Sequence, residues 1–438
     1  IGRSDGSHAV TVNSAIFRSA TTIQAPAAGG QITANGILQD TLFAGLTLNG
    51  NSPTILGGDI ITNGGDILID EAVILAANVT LDTTNNGGVT GADDVGNITV
   101  NGTVDAQTTG VQGITLRAGS SGTPGADGVL TLGGPVGAGA GRVGSFNVVF
   151  ADTANLPSIN AAGNVTLIGR EFNILNGITT TNNGQLNFTN FDLFTFNTTA
   201  INLDGAFVQS NISTGDVRLG TNITTTNDSI TFVTPLALLA DVALDSGLGA
   251  GDITFAETVD GAQSLTLAAG TGEVGLNGQV GATTALTSLT VSNSGSVNLA
   301  ATSGTAIRAG QVGMTSTGAI TINGTPGVNG GIDSDGSITL AGASLTQNGT
   351  LRTRNGSSNI AITTTGATAI GADLTVDDAT SAINIHSGTS GTGDLTFVGS
   401  PELSADVITL RAGDGTGGAG TTAVVVADNG SGGPTFAG

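Results

Sequence analysis

Along the whole chain, runs of about four to six residues recur in which an apolar side chain alternates with Thr, Asn or Ser, each run closed by Gly, Asn or Asp. "GDILID", "GNITVNG", "GVLTLGG", "GNVTLIG", "DSITFV", "GDITFAE", "GSVNLAA", "GAITING", "GSITLAG" and "GDLTFVG" share this form. A period of two turns Ile, Val, Leu or Phe to one face of a strand and Thr or Asn to the other. Helical periodicity is nearly absent. Strands this short, arriving roughly every 8 to 12 residues with turn chemistry between, predict an all-β sandwich, barrel or β-helix.

Repetition helps to choose among these. The phrase "ITLRAG" begins at Ile114 and again at Ile408, with "SLTLAAG" around Leu265 and "SITLAG" from Ser337 as relatives. "GDILIDEAVILAANVTLD" from Gly65 and "DSITFVTPLALLADVALD" from Asp228 precede the first two copies, and lead into "GNITVNGTVDAQ" and "GDITFAETVDGAQ". This is a duplicated block of about 150 residues. It predicts a parallel β-helix, one continuous solenoid over residues 1–438 with degenerate internal repeats at about 65–215, 228–365 and 366–438, in coils of ~20 to 22 residues. Between coils, identical side chains stack on themselves, so a phrase that stacks well can be reused at any rung. Tandem β-sandwich domains are the alternative, with the Asn-Gly pairs (Asn35, Asn49, Asn63, Asn101, Asn176, Asn277, Asn323, Asn348, Asn355) as hairpin turns rather than solenoid corners.

Composition narrows the picture. The chain has 72 glycines and no Cys, Trp or Tyr, so its core must be assembled from small aliphatic units. Its cations are all arginine, and its formal net charge is −23. That balance disfavours nucleic acid and anionic membrane surfaces as partners, and the lack of lysine removes isopeptide staples and Schiff-base chemistry. Without cysteine there are no disulfides or thiolate metal sites. The longest apolar candidate, "PLALLADVALDSGLGAG" from Pro235, is broken by Asp241 and Asp245, short of the ~18 residues of a membrane span. Beginning at Ile1 without a leader, the chain reads as a mature or excised piece of something longer.

Candidate chemistry is sparse. The adjacent carboxylate pairs Asp93–Asp94 and Asp377–Asp378 could serve glycoside cleavage, but their turn-like settings favour backbone capping. "GIDSDGSIT" offers Asp333 and Asp335 as a weak calcium site, without the bidentate Glu or nonapeptide spacing of calcium-binding β-rolls. No other cofactor is expected. "ITTT" at Ile178, Ile223 and Ile362 is too irregular for an ice-binding Thr array, and His8 and His386 are isolated. Triplets of the glycosylation type at Asn78, Asn97, Asn164, Asn187, Asn211 and Asn222 follow from a sequence crowded with Asn and Thr. The phenylalanines clustered at Phe172, Phe188, Phe191, Phe194, Phe196 and Phe207 read as a thicker stretch of core rather than an adhesive strip.

The strings "GDITFAETVDGAQSLTLAAGTGEVGLNGQVGATTALTSLTVSNSGSVNLAA" and "GNITVNGTVDAQTTGVQGITLRAGSSG" resemble the repeat regions of large bacterial surface proteins of the filamentous-haemagglutinin-like type. The likeness implies a right-handed parallel β-helix and a non-catalytic, structural or adhesive role in an extracellular surface filament or stalk. The family's amino-terminal secretion domain, with its Asn-Pro-Asn-Gly-Ile signature, is missing from this sequence. Expected partners are further copies joined head to tail through uncapped ends, since "SHAVTVNSAIF" and "TTAVVVADNGSGGPTFAG" both read as strand material, and glycans or a host or neighbouring cell surface. A carbohydrate-binding or carbohydrate-cleaving β-helix is the alternative function.

Overall fold

The computed structural model describes all residues except 1, 3–8, 26–28, 89–94, 120–126, 198, 302–303, 326–328, 378–380, 392, 414–423, 427–434 and 438. The described residues form no helix, and their strands stack in parallel as a β-solenoid. The chain divides into two compact units, Ile1–Ile223 and Thr224–Gly438.

In the first unit each coil supplies one strand to each of three sheets. Val10–Val12, Ile32–Ala34, Thr54–Leu56, Val73–Leu75 and Val104–Ala106 build one sheet. The next strand of each coil builds the second, as in Val79–Asp82, Ile114–Arg117, Phe146–Phe150, Val165–Gly169 and Leu186–Asn190. The third contains Ile67–Ile69, Ile98–Val100 and Val129–Leu132, and later Glu171–Ile174, Phe194–Phe196 and Val217–Leu219. Most strands read buried, half-exposed, buried, so two inward side chains flank one outward one. Inward Ile98, Val100 and Val104 are fully buried, each such side chain contributing about 1.5–3 kcal/mol.

The second unit repeats the scheme. Ile230–Phe232, Ile253–Phe255, Glu273–Leu276, Ser296–Leu299 and Ala319–Ile322 stack in one sheet. Ile307–Ala309, Asn329–Ser334, Thr350–Thr353 and Leu374–Val376 stack in another. The remaining sheet holds the repeated phrases in a single column, running through Leu265, Leu289, Val312, Ile338, Ile360, Ile383 and Ile408. Three of the four related phrases are therefore rungs of one ladder.

Parallel pairing between coils replaces the tandem-sandwich alternative, whose hairpins require antiparallel neighbours. Antiparallel contact does occur at Gly324–Thr325 against Asn329–Ser334 and at the Asn63–Thr84 bridge. Asn-Gly pairs are corners: the N–H groups of Asn35, Asn101, Asn277, Asn323 and Asn348 donate to the carbonyls of Val12, Ile69, Phe255, Leu299 and Ile322, each one coil earlier. The phenylalanine cluster is interior except for Phe191, which is half-exposed and stacks on Phe150. Phe172, Phe188, Phe194, Phe196 and Phe207 are buried, with Phe188 edge-on to Phe194 at 4.5 Å and Phe194 stacked on Phe196 at 4.3 Å.

Candidate functional site

The acidic and Asn residues that open many strands have a common task. In "G-x-I-T" phrasing, the residue before the first inward position accepts the N–H of its counterpart on the next coil. Asp66 accepts from Asn97 at 2.7 Å, and Asn97 in turn from Val129 at 2.8 Å. Asp59 accepts from Thr80, Asn78 from Gly113 and Asn164 from Gln185. In the second unit Asp241 accepts from Ser264, Asp252 from Glu273 and Asn359 from Ala382. These bonds satisfy backbone donors at corners where the ladder is interrupted. Asp40, Asp82 and Asp245 instead cap their own turns, accepting the N–H groups of Leu42, Thr84 and Gly247. The same geometry explains the triplets at Asn78, Asn97 and Asn164: Asn caps, Ile or Val points in and Thr points out.

Other candidates are placed as follows. Asp333 lies on Asn329–Ser334 and receives both Nε (2.6 Å) and Nη2 of Arg354, while Asp335 is exposed just beyond the strand. A cation binding at Asp333 would have to displace that guanidinium. No cluster of three or more His, Cys, Asp or Glu side chains with metal-holding geometry occurs among the described residues. Asp377 pairs with Arg352 at 2.9 Å, and its neighbour Asp378 lies outside the described residues, as do Asp93, Asp94 and His8. His386 faces outward, its Nε2 3.1 Å from the Gly413 carbonyl. Of the "ITTT" runs, Thr179 faces out and Thr180 inward, which leaves one outward Thr on that strand rather than the paired rows of an ice-binding lattice.

Coil length varies along the chain. Counterparts on successive coils are commonly 18 to 27 residues apart, but 31, 35 and 32 apart between Asp66 and Val129, and 29 and 33 apart where Leu374 meets Leu403 and Glu402 meets Thr435. Among the described residues, 83–88 and 107–112 lie between the strands of the coils from Asp66 to Val129. Insertions of this kind often mark the binding side of a solenoid.

Here the outer face of the first sheet carries a recess of about 430 Å³. Outward Ile55 and Ile74, cross-strand neighbours, form an apolar floor with Pro53 and Ala72, and the turn at Ala138–Gly141 forms a wall. Asp105, next to Ile74 in register, is the acidic group in the lining. Its Oδ2 accepts the Thr103 hydroxyl at 3.0 Å. Its Oδ1 is buried with no hydrogen-bond partner, lying under Gly141 so closely that a Cβ there would come within 2.5 Å. A buried carboxylate oxygen without a donor is costly, which sets this residue apart from the acidic caps elsewhere.

No family model, curated protein or solved structure matches the chain. The recess was not anticipated from the sequence. The available signal was the turn that follows Asp105, "VGAGAGRV", one residue longer than its duplicate "VGATTAL".

Proposed function

We propose that the protein is a non-catalytic structural element of an extracellular surface filament or stalk, with an adhesive role. One observation carries the reading: the side chains best able to do chemistry are spent on holding coil to coil. Asp59, Asp66, Asp241, Asp252 and Asp373 each accept a backbone N–H from the next coil. Paired charges likewise span coils, as in Arg170 with Asp152 and Asp192, and Arg354 with Asp333. A carboxylate so employed is a fastener, and its worth grows with the number of coils.

The edge of the first unit supports end-on association as part of this role. Inward Val10, Val12 and Phe17 are half-exposed, whereas their register partners Ile32, Ala34 and the neighbouring Leu38 are fully buried. Half-covered strands of this kind offer groups on which a further coil can stack. Electron microscopy of concentrated protein tests this: end-to-end strings are expected, and discrete particles alone would remove the association. Release of reducing ends from a panel of polysaccharides would replace the structural reading with the carbohydrate-active one.

A further inference from the structure

We infer that the recess around Asp105 is a docking site for a lysine side chain of a partner protein. Val104 and Val259 bridge to Val136 and Val280 one coil later, and Val143 and Leu286 then bridge to Ala161 and Ala309. Gly137 and Gly281 hold φ of 69° and 71° and donate their N–H to the Val104 and Val259 carbonyls at 2.7 Å. Asp105 and Asp260 therefore occupy equivalent positions.

Their fates differ. Asp260 Oδ1 accepts from the N–H groups of Thr283 (2.8 Å) and Thr284 (3.0 Å), so the turn above satisfies it. Over Asp105 the turn is one residue longer. It closes on itself through the Gly141 N–H to the Ala138 carbonyl, and directs no N–H to the carboxylate. The added residue has converted a cap into a partly satisfied anion at the edge of an apolar floor.

The occupant follows from what that site presents. Ile55, Ile74, Pro53, Ala72 and Ala140 suit an alkyl chain, and the carboxylate calls for a cation at its end. With Oδ1 sealed beneath Gly141, only the Oδ2 edge can meet a ligand. A single oxygen suits the point charge of an ammonium, whereas a guanidinium fork is best matched by two. The chain's net charge of −23 draws cationic partners towards it. None of these 438 residues is lysine, so the group comes from outside them.

The test is calorimetric titration of the full chain with a short acetylated and amidated Gly-Lys-Gly peptide, its Arg counterpart, n-pentylamine, n-pentanol and spermidine. Saturable binding of the Lys peptide and pentylamine is expected, at least about tenfold tighter than pentanol or the Arg peptide. Asp105→Asn should lose about the same factor, while Asp260→Asn leaves affinity unchanged. Equal binding of pentanol, or an undiminished D105N, would overturn the ammonium assignment. Binding of spermidine without the Lys peptide would overturn the partner-protein assignment in favour of a free polyamine. No saturable binding by any probe at millimolar concentration would remove the site.

Discussion

Two stretches of the molecule, Gly65–Ala118 and Asp228–Ala269, are written from one template, and they diverge where function would be expected to enter. In each, a coil of three strands is followed by a second that pairs with it strand for strand. Ile67–Ile69, Val73–Leu75 and Val79–Asp82 meet Ile98–Val100, Val104–Ala106 and Ile114–Arg117. Ile230–Phe232, Leu236–Leu238 and Val242–Asp245 meet Ile253–Phe255, Val259–Asp260 and Ser264–Ala268. The inward positions are interchangeable because each needs only an aliphatic or aromatic group of suitable size. What differs is at the corners: one coil beyond the first stretch, the turn at Ala138–Gly141 is one residue longer than its counterpart, walls a recess and leaves Asp105 Oδ1 without a donor. The core of a solenoid thus tolerates decoration, since a longer corner costs little closure entropy and disturbs no inward contact.

The largest effects should be shared by the two stretches. Ile98→Ala and Ile253→Ala, both at fully buried positions, are expected to destabilise by about 2–5 kcal/mol each in denaturant titration. A large disparity would mean that the copies are not mechanically equivalent. Next come Gly137→Ala and Gly281→Ala, which force a left-handed φ on a side chain and place a Cβ 2.1 Å from the Asn160 and Arg308 carbonyls. Strain alone should cost about 1–3 kcal/mol in each.

The comparison then separates the copies. Asp260→Ala removes two backbone partners and should cost about 1 kcal/mol, reduced by its exposure, whereas Asp105→Ala should be neutral or mildly stabilising. Replacing residues 138–142 by Ala-Thr-Thr-Ala should restore the cap, so that Asp105→Ala becomes destabilising in that background. Failure of that conversion would detach the uncapping from turn length.

The smallest expected effect concerns Glu71, which stands where the second stretch has Thr234. Burial raises its pKa above 4.5, outweighing the hydrogen bonds from the Thr54 hydroxyl and the Gly50 N–H. A carboxyl raised in the fold binds its proton more tightly folded than unfolded. Its contribution is therefore most favourable below 4.5 and is lost as pH rises through the folded value. Stability curves against pH for wild type and Glu71→Gln should diverge in that window, with the variant lacking the decline. Parallel curves would show that Glu71 is solvated.

Much of the architecture was legible in the residues. Alternation in phrases such as "GDITFAE" named the inward side chains correctly, since a period of two admits only one arrangement on a pleated strand. The phrases at Leu265, Ile338 and Ile408 fell in one column, because parallel stacking rewards like upon like, whereas the earlier "ITLRAG" at Ile114 stands in the second sheet of the first unit. The role of Asp66, Asn97 and Asp252 was not legible in the residues. Their donors lie 31, 32 and 21 residues ahead, and no local pattern announces a partner that arrives only when the coil closes.

By itself, then, the sequence determined the strand type, the inward face and the repeat, because these depend on neighbours one to three residues away and on like side chains meeting in register. Only the tertiary structure decided which coil lies above each corner. That choice made Asp260 a cap, left one oxygen of Asp105 without a donor beside an apolar floor, and paired Asp333 with Arg354. The physical reason is that a carboxylate's role is set by the donors within about 3 Å of it, and in a solenoid those donors come from the next turn of the chain.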